Sequence, residues 1–129
     1  MEDDLIRTAR AAQANAHAPY SGYAVGAALE AVDGAVFAGA NVENASLGLT
    51  NCAERVALGA AIAAGARSFR RIVVVTHSSP PAAPCGACRQ ALAEFGHDMV
   101  VEAVSPDESR CWQLMQLLPD AFGGEYLES

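Results

Sequence analysis

Cys52 and Glu54, in Cys52-Ala53-Glu54-Arg55, and Cys85 and Cys88, in Pro84-Cys85-Gly86-Ala87-Cys88, are the residues whose types and spacing could do chemistry. Three thiolates make a soft donor set suited to zinc, and three protein ligands leave the fourth tetrahedral position to water, as a catalytic site requires. A glutamate beside that water, and not itself a ligand, can act as general base and then as general acid. Arg55 matters for its charge. Three thiolates around one Zn²⁺ form a negative cluster that makes water less acidic, and a guanidinium hydrogen-bonded to a cysteine sulfur offsets it. Taken alone, the Cys85/Cys88 pair reads equally as a closed zinc site or as a thiol redox pair. Cys52 and Glu54 tip the balance, because a dithiol pair needs neither. Cys111 is available as a fourth ligand but, as a lone cysteine past the last strand, reads as a buried small hydrophobe. His17, His77 and His97 complete no metal set by spacing and read as turn or surface residues.

Elements must bring these residues together. Leu5, Ala9, Ala12 and Ala16 recur at helical spacing, which predicts a helix over 3–16 ending before Pro19. The stretches 24–32 and 35–42 flank Asp33-Gly34, a signal for two antiparallel strands joined by a type I′ turn. An alanine-rich helix over 52–64 follows, with Gly65 closing it and Leu58 and Ile62 reading as core. Ile72-Val73-Val74-Val75 is a β-branched run typical of a strand covered on both faces. A helix over 85–95 and an apolar strand over 99–104 complete the order αββαβαβ, while 111–118 fits either a helix or a short strand with a turn. Strands 35–42, 71–77 and 99–104 are expected to run parallel, joined by right-handed crossovers. Each crossover helix then starts near the carboxyl end of the preceding strand, so Cys52 and Cys85 share one end of the sheet. Asn41 and Glu43, which follow their strand, arrive there too. At the first turn of a helix side chains lean toward its N-terminus, which lets Cys52 and Glu54 reach one metal despite their i, i+2 spacing. The expected fold class is α/β, a three-layer α/β/α arrangement around a mixed sheet of about five strands.

Composition limits the partners. The chain has 129 residues, is 52% hydrophobic and 18% charged, and fits one domain over 1–129. Its net charge of −7 works against binding a nucleic acid polymer through its backbone. No membrane-length apolar run is present, and the acidic start Met1-Glu2-Asp3-Asp4 is unlike a secretory signal, so a soluble cytoplasmic protein is expected.

A Cys or His two residues before Glu, followed later by Pro-Cys-x-x-Cys, is the signature of zinc deaminases. With it stand Pro19-Tyr20-Ser21-Gly22-Tyr23-Ala24-Val25-Gly26-Ala27-Ala28, Asn41-Val42-Glu43-Asn44-Ala45-Ser46, Pro84-Cys85-Gly86-Ala87-Cys88-Arg89-Gln90 and Leu117-Leu118-Pro119-Asp120-Ala121-Phe122-Gly123. Together these resemble the small cytidine deaminases over essentially the full length. The resemblance implies hydrolytic deamination of cytidine and 2′-deoxycytidine by a homotetramer with one Zn²⁺ per subunit. It gives the metal to Cys52, Cys85 and Cys88, and the proton shuttle to Glu54. It gives the ribose 3′-hydroxyl to Asn41 and Glu43, and the pyrimidine edge to the backbone near Ala53 and Pro84. Tyr23, at a position usually phenylalanine, would flank the nucleoside with Val25, although Val25 reads as core on its pattern alone. Phe122 would contact the base from a neighbouring subunit. Leu47 departs from the family, which usually has an aromatic there. Deaminases of modified cytosine nucleosides, or of an antibiotic such as blasticidin S, share the same chemistry. Arg89 reads as a local partner for carbonyls or carboxylates.

Overall fold

A computed structural model of the chain describes residues 3–127; Met1 and Glu2 of the acidic start lie outside the described residues. Helix α1 (Asp4–Gln13) is followed by strands β1 (Gly26–Ala31) and β2 (Val36–Ala40), helix α2 (Ala53–Ala63), strand β3 (Phe69–Val75), helix α3 (Gly86–Ala93), strands β4 (Val100–Val104) and β5 (Ser109–Gln113), and a single turn α4 (Leu114–Leu117). The predicted order αββαβαβ holds. The open segment 111–118 resolves as the end of an edge strand plus one helical turn.

The sheet is five-stranded and mixed, in the order β2-β1-β3-β4-β5. Strand β1 pairs antiparallel with both β2 and β3, and β3 pairs parallel with β4. It follows that β2, β3 and β4 run in one direction, as expected, with β1 inserted between the first two. Side-chain alternation then makes three layers. Ala28, Val73 and Val75 face α1 through Leu5 and Ala9. Ala27, Leu29, Ile72 and Val74 face the other way and pack with Ala57 and Leu58 of α2 and Leu92 of α3.

Two close approaches fix these layers. A Cβ on Gly26 would lie 2.6 Å from the backbone nitrogen of Gln13, and one on Gly39 would lie 2.5 Å from the carbonyl oxygen of Ala53. Only glycine lets α1 and α2 sit so tightly on the sheet. The first helix is shorter than its apolar spacing suggested. After Gln13 the backbone closes with Asn15 N to Ala12 O and Ala16 N to Gln13 O, and His17 N then bonds Asn41 O, drawing the chain away.

The β1–β2 turn differs from the predicted type I′. That turn requires positive φ at both central residues, and here only Gly34 is left-handed, at φ +94°. Gly34 N bonds Ala31 O and Ala31 N bonds Ala35 O, so the connection is a three-residue loop closed by a glycine bulge. The Asp33 carboxylate accepts from Ala35 N at 3.0 Å, which leaves Gly34 alone to supply the left-handed residue. Cys111 also differs from expectation. It is exposed on edge strand β5, opposite Glu102, and is no core residue. No helix among the described residues is long and apolar enough to cross a membrane.

Candidate metal centre and cavity

Helix α2 begins at Ala53 and α3 at Gly86, so Cys52 and Cys85 are their N-cap residues. Both have extended backbone, φ −72° and −66°, and neither sulfur caps its own helix. This answers the spacing puzzle. Cys52 is not on a helical face at all, so the i, i+2 separation from Glu54 does not turn them apart. Cys88 follows Cys85 by three residues, at the third position of its helix, where a side chain reaches back toward the N-cap. The exposed N–H groups of both first turns add positive potential where the sulfurs meet.

The three Sγ atoms lie within 4.8 Å of one another, with Cys52 and Cys85 at 3.9 Å. Tetrahedral zinc with Zn–S bonds of about 2.3 Å sets its sulfurs about 3.8 Å apart. The donor set therefore fits zinc in chemistry and in spacing. Arg55 donates from Nη2 to the Cys52 sulfur at 3.7 Å, the contact expected of it. The Cys52 thiol is lowered to about 5, first by hydrogen bonding with Cys88 and also by Arg55 and Cys85, against the opposing effect of burial. Cys88 is pushed up by the same bond to Cys52 and by burial. The Cys52 thiolate forms readily and that of Cys88 beside it is costly, so a cation is what allows both to ionise together. Cys111 and the three histidines take no part; all three histidines are exposed.

Beside the sulfurs opens a cavity of about 210 Å³, lined by Tyr23, Val25, Asn41, Cys52, Ala53 and Glu54 among others. Glu54 is 5% exposed. Burial, with the Cys52 charge adding to it, pushes its carboxyl up to about 7. A group poised near neutrality can both take and return a proton. Asn41 is buried and held from both ends: its Oδ1 accepts from Val25 N at 2.9 Å and its Nδ2 donates to Tyr23 O at 2.8 Å. An amide nitrogen carries two hydrogens, which leaves one for the cavity.

Other predicted residues sit differently. Glu43 lies outside the lining; its carboxylate accepts from Tyr20 N at 2.9 Å, Ser21 N at 3.2 Å and the Ser21 hydroxyl, tying down the 19–22 turn. Those bonds, the Ser21 hydroxyl first, hold its carboxyl below the ordinary carboxylate range. Pro84 is buried and the wall next to it is Ala82 and Ala83. Phe122 is 57% exposed and stacks on Tyr126 at 5.4 Å, outside this chain's own cavity. Leu47 is 74% exposed, in a short 3₁₀ turn at Leu47–Leu49. Sequence reasoning missed Thr50, Val74 and Thr76, which also line the cavity. The alternation of β3 could have found Val74 and Thr76, since they share one face.

Residues 1–104 match the family described as "Cytidine and deoxycytidylate deaminase zinc-binding region". The cytidine deaminase of Sporosarcina psychrophila is 42% identical over 127 residues, covering 97% of this chain and 93% of that protein. The cytidine deaminase of Halalkalibacterium halodurans is 54% identical over 91 residues, 70% of this chain and 69% of its own length. A crystal structure of cytidine deaminase from Burkholderia pseudomallei superimposes with a TM-score of 0.88 at 52% identity, covering 92% of this chain and 96% of that one. With a three-sulfur centre, a buried glutamate beside it and likeness to these proteins over nearly its whole length, the chain belongs to the zinc-dependent cytidine deaminase family.

Proposed function

We propose that this protein hydrolyses cytidine and 2′-deoxycytidine to uridine and 2′-deoxyuridine with release of ammonia, as one deaminase domain over 1–129. The observation that carries the reading is the meeting of Cys52, Cys85 and Cys88 beside a cavity whose wall includes buried Glu54. Zinc held by the three thiolates supplies a Lewis acid that makes a water nucleophilic at neutral pH. Glu54 takes one proton from the attacking water and passes it to ring N3. It then takes the second from the hydroxyl so added to the ring and delivers it to the amino group, which leaves as ammonia while the ring oxygen becomes a carbonyl. Arg55 reduces the negative charge of the sulfur cluster. Asn41 offers its remaining amide hydrogen to the ribose 3′-hydroxyl, and the Glu43 carboxylate, which keeps acceptor capacity beyond its bonds to the 19–22 turn, accepts from that hydroxyl. A contact at O3′ does not separate ribose from deoxyribose. Tyr23 and Val25 flank the nucleoside, while the backbone at Ala53 and Pro84 reads its pyrimidine edge.

The exposure of Phe122, Leu47, Leu49 and Tyr126 supports a homotetramer in which Phe122 completes a neighbouring cavity. Pyrimidine salvage in the cytoplasm is the setting this chemistry serves. A screen of cytidine, 2′-deoxycytidine, cytosine, cytidine 5′-monophosphate and adenosine, followed by loss of amine-bearing ring absorbance, tests the substrate. Both pyrimidine nucleosides should turn over, and turnover confined to any other compound in the set would overturn the proposal.

A further inference from the structure

Arg89 and Gln90 follow Cys88 directly, yet neither side chain points to the sulfurs. The half-buried Arg89 guanidinium spans two distant carbonyls, donating from Nε to Pro84 O at 2.6 Å and from Nη1 to Leu117 O at 2.9 Å. Gln90 donates from Nε2 to Phe122 O at 2.8 Å. Pro84 immediately precedes Cys85, and Leu117 closes α4. Two residues on one turn of α3 thus grip the approach to the metal ligands on one side and the segment carrying Phe122 on the other.

The gripped segment needs such bonds. Carbonyls at a helix C-terminus lack intrahelical partners. Past α4 the backbone is irregular, with Leu118 at φ −143° and ψ 63° and Asp120 at φ +52°, so no sheet ladder or helix fixes residues 118–122. Arginine suits the position, since its planar fork can serve two acceptors at once, whereas a lysine ammonium on a flexible stem is a single point donor.

We propose that Arg89 and Gln90 are positioning residues that lock segment 117–122 to the metal-bearing turn, so that the sulfur ligands and the Phe122 presented to a neighbouring cavity keep one geometry. The part played by Phe122 rests on the proposed function above. The lock itself rests on the three bonds just described. Arg89 acts on both sides and Gln90 on the Phe122 side alone, so the two variants separate the roles.

The test compares zinc-loaded wild type, Gln90→Ala and Arg89→Lys by amide hydrogen exchange over 117–127, by zinc transfer to a chromogenic chelator, and by steady-state kinetics on cytidine. Loss of one hydrogen bond should speed exchange in this segment by about 3- to 10-fold in Gln90→Ala and raise KM by a similar factor, with kcat and zinc transfer much less affected. Arg89→Lys should speed exchange and zinc transfer together. Unchanged exchange over 117–127 in both variants would overturn the lock, as would a Gln90→Ala enzyme that loses kcat at constant KM. Exchange and zinc transfer are read without substrate. A wild type that deaminates no nucleoside would therefore refute the proposed function while those two measurements still judge the lock.

Discussion

Chemistry here depends on where two helices begin. Reading the helix as 52–64 let Cys52 and Glu54 meet only because first-turn side chains lean toward the N-terminus. The helix starts one residue later, at Ala53, so Cys52 is the N-cap and the i, i+2 spacing does not separate them. Sequence reasoning named all three sulfurs and Glu54 because their types are rare and their spacing specific. It overlooked Thr50, which carries no signal of its own and becomes cavity wall only through the fold, and Val74 and Thr76, whose shared face on β3 is legible but whose place over the cavity is not. Arg55 is the most informative residue outside the ligands. Its Nη2 contact with Cys52 predicts that Arg55→Gln lowers turnover and zinc retention on the order of 10-fold, the scale on which groups behind a metal ligand act. Zinc content after dialysis and cytidine kinetics check it, and full activity with full metal content would count against the role assigned to the guanidinium.

At the scale of elements, the sequence showed three helices and four strands, left 111–118, where β5 ends and α4 lies, undecided, and did not show which strands are neighbours. The expectation of three co-directional strands is met, yet β1 stands between β2 and β3. Hydrophobic runs reveal that a strand is covered on both faces, but not which strand lies beside it. The hairpin illustrates a second limit. Asp33-Gly34 marked a turn correctly but not its type: Gly34 alone has positive φ, and Asp33 bonds Ala35 N through its carboxylate. Cys111 was misplaced for a related reason: an edge strand exposes residues that a central strand would bury. Gly39 ties packing to the site, because the Ala53 carbonyl it abuts lies in the turn between Cys52 and Glu54. Gly39→Ala should cost about 1–3 kcal/mol by overpacking, read as a lower denaturation midpoint, with weaker zinc retention. A variant of wild-type stability and metal affinity would show that α2 is free to shift.

The whole molecule displays an apolar surface that the single chain does not use. Phe122, Tyr126, Leu127, Leu47 and Leu49 are all more than half exposed. Only family resemblance, and no periodicity, pointed to Phe122 as a residue working in another subunit, since such a role has no local pattern. Mixing two impaired proteins at low cytidine concentration tests it. Phe122→Ala supplies an intact Glu54 and Glu54→Gln supplies an intact Phe122, so hetero-oligomers formed from both should regain cytidine turnover. Absence of any regain, with mixed oligomers demonstrated, would confine each site to one chain.

The proposed deamination rests on a zinc centre that needs Glu54 to move protons. Cytidine turnover by zinc-replete Glu54→Gln measures that most directly. The expected result is a fall of about 10²- to 10⁴-fold with zinc content unchanged, since the amide keeps the shape of the carboxylate without its proton affinity. Turnover near that of the wild type would contradict it.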